Sequence, residues 1–292
     1  MSNKEIPQEP KLDENGGFAK PSDKFCSRFL EDLTGSCACR PSFRAVDGSR
    51  DIDIPASFSP KSWGSREAKL LNLGVAAATF YLGVGLDPRL VWLAYGSNWN
   101  VVVSSAYLLL SFINSFVPVA GPDAGHTVVG FRVKSTWILF TISANIGILV
   151  TIAFWTMIYN GKMDWKMIFP HGLLQAAVLE DGFLINTIPI RLRHYLEFVV
   201  PFALSYFLWS YLDSALGIGT PDKMNNNYAV LDWSAEPGKT ATLAAVLIFA
   251  VSPVLQVVLW LISGCRRRYK SDSADDDATN NYIEMSSDGV KV

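Results

Sequence analysis

Hydrophobic and polar residues are segregated along this chain, in apolar runs of about 17–25 residues separated by shorter polar stretches. About 20 apolar residues in a helix span the hydrocarbon of a bilayer, so each run predicts a transmembrane helix. The runs are Leu70–Leu86, Trp99–Ala120, Ser135–Tyr159, Met167–Ile190, Tyr195–Ile218 and Thr240–Gly264. The sequence therefore predicts an all-α fold: a polytopic six-helix transmembrane bundle over residues 61–265, with disordered cytosolic tails.

The two ends of the chain differ from its middle. Residues 1–60 are rich in Ser, Pro, Asp and Lys and lack periodicity, and residues 266–292 are acidic, so both are predicted to be disordered tails. Half of the 292 residues are hydrophobic, and a net charge of −2 is too small to indicate nucleic acid. We predict membrane lipids as partners. No cofactor or metal is predicted, because Cys37 and Cys39 form a C-x-C rather than a C-x-x-C pair.

Basic residues in the predicted loops indicate the orientation, because cytosolic loops of membrane proteins are enriched in Lys and Arg. The side that holds both termini carries eleven basic residues, and the other side carries five. The eleven are Lys61, Arg66, Lys69, Arg132, Lys134, Arg191, Arg193, Arg266, Arg267, Arg268 and Lys270, and the five are Arg89, Lys162, Lys166, Lys223 and Lys239. We therefore predict an integral, multi-pass protein of the plasma membrane or an endomembrane, with both termini in the cytosol.

The fourth predicted span carries ionisable side chains at membrane depth. Such side chains are costly in lipid, so they usually face a bundle interior or a wet cavity. At about 1.5 Å of rise per residue, Asp181 lies near mid-membrane, about 15 Å deeper than His171, with Gln175 one turn after the histidine. Helical phase directs Asp181 inward and Glu180 to another side. The depth count predicts Asn145 of the third span as the partner of Asp181.

A second polar set lies nearer the predicted outer surface. Ser104 and Ser105 of the second span come to about the same depth as His171. These side chains can be packing contacts between helices, worth about 1 kcal/mol each. The alternative is a Ser–His pair in which Ser104 and His171 are catalytic, with the imidazole activating the hydroxyl as a nucleophile.

Basic side chains also cluster where the fourth and fifth predicted spans meet. Arg191, Arg193 and His194 lie there, close to Glu197. We interpret the three as cytosolic anchors that pair with lipid phosphates and with Glu197. A site for the headgroup of a substrate is the alternative.

Short motifs in the membrane domain resemble those of a known family. Tyr95-Gly96-Ser97-Asn98-Trp99-Asn100 opens the second span, and Asp181 follows His171-Gly172 by ten residues. Pro189-x-Arg191-x-x-His194 and Leu231-Asp232-Trp233 come later. In order and spacing these motifs resemble the rolling stone family of polytopic membrane proteins. The resemblance covers the membrane domain and neither tail, and we interpret the chain as non-enzymatic, with a role in membrane organisation or interaction.

Rolling stone proteins are distantly similar to the androgen-induced membrane hydrolases, which cleave fatty-acid esters of hydroxy fatty acids with a Thr nucleophile and an intramembrane His. That likeness places the Thr at Val103 and the His at Leu174, so neither catalytic residue is retained. An intramembrane lipid ester hydrolase that uses Ser104 and His171 is one alternative function. A small-solute transporter is another, although the isolated polar residues form no continuous polar stripe.

Overall fold

The computed structural model describes residues 63–84, 90–116, 131–159, 161, 163–186, 188–217 and 231–265. Within these ranges the chain is all-helical and contains no strand. The predicted tails, residues 1–60 and 266–292, lie outside the described residues, so the prediction of disordered tails stays a prediction.

The helices follow the apolar runs of the sequence. They are α1 (Trp63–Val84), α2 (Gly96–Asn114), α3 (Phe131–Ile158), α4 (165–185), α5 (Tyr195–Leu216) and α6 (Pro237–Cys265), with a short 3-10 turn at Leu90–Ala94 before α2. Each predicted run overlaps one of these helices. By length and composition α3, α5 and α6 can cross a membrane, which supports a membrane protein. Crossing by α1, α2 and α4 stays a prediction.

Three helices widen locally to π-type turns next to prolines. The turns Tyr195–Val199 and Leu247–Val251 each end two residues before a proline, Pro201 and Pro253, and the turn Phe169–Leu173 contains one. Proline donates no backbone hydrogen bond, and its ring collides with the carbonyl four residues earlier. A wider turn accommodates both effects without ending the helix.

Helix α3 lies at the centre of the described fold. It contacts α2, α4 and α5, and it is the most buried of the three membrane-length helices. Trp137 and Phe140 of α3 are fully buried in an apolar cluster with residues of α2 and α4. Large apolar side chains on the outside, such as Leu208 of α5 and Phe249 of α6, are exposed, as is typical of a surface that contacts lipid or a partner.

Helix α4 ends at residue 185, earlier than the predicted Ile190, and the chain continues through a buried, non-helical segment at residues 188–191. Buried irregular backbone needs hydrogen-bond partners for its polar groups, because an unpaired buried N–H or C=O is costly. Side chains of α3 and α6 supply these partners here. Trp137 Nε1 donates to the Pro189 carbonyl (2.5 Å), Gln256 Nε2 donates to the Arg191 carbonyl (2.9 Å), and the Ile190 N–H donates to Ser263 Oγ (3.0 Å).

Candidate functional site

A buried polar cluster surrounds Asp181, whose side chain has no exposed surface. Its Oδ2 accepts hydrogen bonds from the hydroxyls of Tyr107 and Ser111, both at 2.6 Å, and from the amide of Asn186 at 2.8 Å. The Asn186 amide also donates to Ser111 Oγ at 3.0 Å. Two of the three bonds on this oxygen join α2 to the C-terminal end of α4, and the third lies within that end.

Lys69 of α1 supplies a positive charge to this cluster. The side chain is only 1% exposed, and Nζ donates to the Ser111 carbonyl at 3.2 Å. Its charge attracts the carboxylate of Asp181, and such attraction is strong where little water screens it. The sequence predicts Lys69 to be a loop charge on the cytosolic side. That assignment is corrected, because the residue binds α1 to α2 inside the protein.

Asp181 and Asn145 belong to different networks. Asp181 is buried and Glu180 is exposed, as the helical-phase argument expects. The predicted pairing of Asp181 with Asn145 is wrong. The Asn145 amide donates to the Ser252 carbonyl (3.0 Å) and to Gln256 Oε1 (2.9 Å), and its Oδ1 accepts from the Ser252 hydroxyl (2.6 Å). A depth count gives a height along the helix and leaves the direction around it open, and Asn145 faces α6.

Ser104 and His171 do not form a catalytic pair in this structure. The Ser104 hydroxyl donates to Asn100 Oδ1, one turn earlier on α2, at 3.3 Å. The His171 ring stacks on Phe154, with ring centroids 3.7 Å apart and planes within 4°. In the part of the chain that the structure describes, His171 Nδ1 is buried without a hydrogen-bond partner. An imidazole that bonds no hydroxyl cannot activate one in this arrangement.

The positions to which the hydrolase likeness points pack in different apolar clusters. Val103 packs against the apolar cluster that contains Ile146 and Val199, whereas Leu174 is fully buried in the cluster that contains Trp137. Both positions are therefore structural parts of the core.

Gln175 lies where α2, α3 and α4 approach closely. Its amide donates to the Ala144 carbonyl of α3 at 3.4 Å. Beside it, a methyl group on Gly147 would lie 1.7 Å from Gln175 Oε1 and 3.1 Å from Asn100 Oδ1. The absence of a side chain on Gly147 therefore makes room for polar side chains from two neighbouring helices.

The three predicted anchors have different environments. Arg193 binds Glu197 at 2.8 Å, which is the pairing that the sequence predicts. Arg191 is 6% exposed, and its guanidinium lies 5.0 Å from the centre of the Trp137 ring, a cation–π geometry. His194 is fully buried against the same ring, at 5.1 Å. The anchor interpretation is corrected for Arg191 and His194, because core packing removes both from contact with lipid phosphates.

Residues of the motifs that resemble the rolling stone family make hydrogen bonds that support the fold. Asn98 and Trp99 donate from their side chains to backbone carbonyls of the turn before α2, both at 2.7 Å. Trp233 donates to Ser210 Oγ of α5 at 3.0 Å. The Pro189 carbonyl accepts the Trp137 bond described above. These motifs therefore explain how irregular segments attach to the helices.

The partners that complete both networks were not predicted from the sequence. Tyr107 and Ser111 are four residues apart on α2, and Ser252 and Gln256 are four residues apart on α6. Residues at this spacing lie on one face of a helix. A pair of polar residues with this spacing inside an apolar run predicts a hydrogen-bond partner on another helix, so these two pairs could have indicated both networks.

An apolar cavity of about 110 Å³ opens beside His171, between α3, α5, α6 and the start of α2. No charged side chain lines this cavity in the described residues. Across the same residues, no group of three or more His, Cys, Asp or Glu side chains is placed to hold a metal ion.

No family model, no curated protein and no solved structure matches this chain. The resemblance to the rolling stone family therefore stays a prediction from the sequence motifs.

Proposed function

We propose that this chain is a non-enzymatic multi-pass membrane protein, similar to the rolling stone proteins, whose helices α1–α6 all cross the bilayer. Its role is membrane organisation or interaction. The observation that carries the proposal is how the buried polar side chains are used. Asp181 and Asn145 bind side chains of neighbouring helices, which holds the helices together. Ser104 binds Asn100 within α2, and this bond leaves the Ser104 hydroxyl without a base that could activate it.

We expect the purified protein in detergent to hydrolyse no fatty-acid esters of hydroxy fatty acids and to resist a serine-reactive lipid probe. The physical reason is that Ser104 donates its proton to Asn100 rather than to His171, and an unassisted hydroxyl is a poor nucleophile. Turnover and probe labelling are measured for the natural protein, Ser104→Ala and His171→Ala, with an active lipid hydrolase in the same detergent as a control. Activity that disappears in both variants would make this chain an enzyme.

We also expect both termini to be cytosolic. Lys69 and Arg191 are buried and do not act as loop charges, which reduces the eleven basic residues on that side to nine, still against five. Protease added to intact cells should leave epitope tags on both termini uncut, and detergent permeabilisation should expose both tags. Cleavage of the carboxyl-terminal tag in intact cells would contradict this orientation.

A further inference from the structure

The cavity beside His171 has walls that suit a hydrocarbon chain. Ile146 and Val150 of α3, Phe202 and Ala203 of α5, and Leu247 of α6 contribute to it. Transfer of apolar groups from water into such a space is favourable, and an acyl chain supplies these groups in a narrow form. The cavity is therefore suited to a thin apolar ligand.

His171 is the polar group on this wall that makes no hydrogen bond in the described structure. The other polar side chains have partners: Trp99 Nε1 donates to the Leu93 carbonyl, Tyr206 Oη to the Ala94 carbonyl and Ser252 Oγ to Asn145. The His171 ring is 8% exposed, its Nδ1 is buried without a partner, and its Nε2 makes no hydrogen bond in the described structure. Buried polar groups are almost always hydrogen-bonded, so this imidazole is available to a ligand through Nε2. A hydroxyl group suits it in either tautomer, because a hydroxyl both donates and accepts.

The walls also restrict the charge of the ligand's headgroup and the width of its apolar part. An ionised headgroup would lose its hydration without gaining a counter-charge, since no charged side chain lines the cavity in the described residues. The space of about 110 Å³ is smaller than the engineered cavity of about 150 Å³ that holds one benzene. A rigid sterol nucleus does not fit such a space, whereas part of a single acyl chain does.

We infer that the cavity binds part of the acyl chain of a neutral, single-chain lipid of the monoacylglycerol class, with a headgroup hydroxyl hydrogen-bonded to His171. This inference rests on the proposed function, because it names a lipid partner for a protein whose proposed role is non-enzymatic membrane organisation or interaction. The bound lipid would contact α3, α5 and α6 together and so couple their positions to the composition of the membrane.

Photo-crosslinking of the full chain in detergent tests the site. The probe is a monoacylglycerol with a diazirine and an alkyne on its acyl chain. Ala203→Leu places extra carbon atoms in the cavity and should reduce labelling about tenfold, the effect of 1.4 kcal/mol in binding. His171→Phe keeps the aromatic stack on Phe154 and should raise the half-saturating probe concentration about three- to tenfold, as expected for one lost hydrogen bond. The matched control is Ala176→Leu, at an exposed position of α4, which should label like the natural protein.

Three further measurements make each outcome decisive. Ala153→Leu also fills the cavity and replaces Ala203→Leu if that variant does not fold, as judged by gel filtration. Equal labelling of the cavity-filling variant and the control would overturn the inference, as would stronger labelling by the matching fatty-acid probe with its free carboxylate.

Mass spectrometry of the recovered probe should find it intact. Release of glycerol would contradict the non-enzymatic function while leaving the lipid site in place, and absence of both labelling and release would contradict only the site.

Discussion

Replacing Asp181 by alanine is expected to lower the free energy of unfolding by about 3–5 kcal/mol, because several buried polar groups lose their partner and each such loss costs about 1–3 kcal/mol. The Lys69 ammonium would stay buried without a compensating charge, and the hydroxyls of Tyr107 and Ser111 would lose their acceptor. The measurement is the thermal unfolding midpoint in detergent. Glu180→Ala is the matched control. It removes the neighbouring, exposed carboxylate and should change the free energy of unfolding by no more than about 0.5 kcal/mol.

A double variant separates the buried Lys69 charge from the lost hydrogen bonds. Removing one of two buried opposite charges leaves the other uncompensated, whereas removing both does not. Lys69→Met combined with Asp181→Leu should therefore recover the part of the stability that the uncompensated Lys69 charge costs, while Tyr107 and Ser111 still lack their acceptor. An Asp181→Ala protein that melts together with the natural protein would contradict the assignment of this cluster as the junction of α1, α2 and α4.

A methyl group at Gly182 is expected to destabilise the protein by about 1–3 kcal/mol, the usual cost of overpacking a core. The added Cβ would lie 1.9 Å from the ring of Phe140. That ring packs between Tyr107 and Phe183, with centroids at 5.2 and 5.3 Å, so it cannot move away without disturbing both. The measurement compares thermal midpoints of Gly182→Ala and the natural protein in the same detergent.

Gly172→Ala is the control for that substitution. It lies on the same helix, and nothing stands within 4 Å of its added Cβ. Alanine is preferred over glycine in a helix by up to about 1 kcal/mol, so Gly172→Ala should keep or raise the midpoint. Equal midpoints for the two variants would show that the close approach of α4 to Phe140 does not contribute to stability.

Local features of the sequence determined where the helices lie and which way single residues face. Each apolar run overlaps a helix, because a long apolar stretch must satisfy its own backbone hydrogen bonds. The exposure of Glu180 beside the buried Asp181 follows from helical phase, which needs only neighbouring residues. The end of α4 did not follow in this way. The extended segment after it depends on side chains of Trp137, Gln256 and Ser263, which lie 52 to 73 residues away from their backbone partners.

Only the tertiary structure decided which polar groups meet. Asp181 binds Tyr107 across 74 positions of sequence, and Asn145 binds Ser252 across 107. Such pairs depend on the rotation of each helix about its axis and on the relative heights of helices of unequal length, such as α2 with 19 residues and α3 with 28. Neither quantity is encoded in a local pattern. The sequence therefore showed that Asp181, Asn145 and His171 need partners inside the protein, and packing between distant helices selected those partners and left His171 facing an apolar cavity.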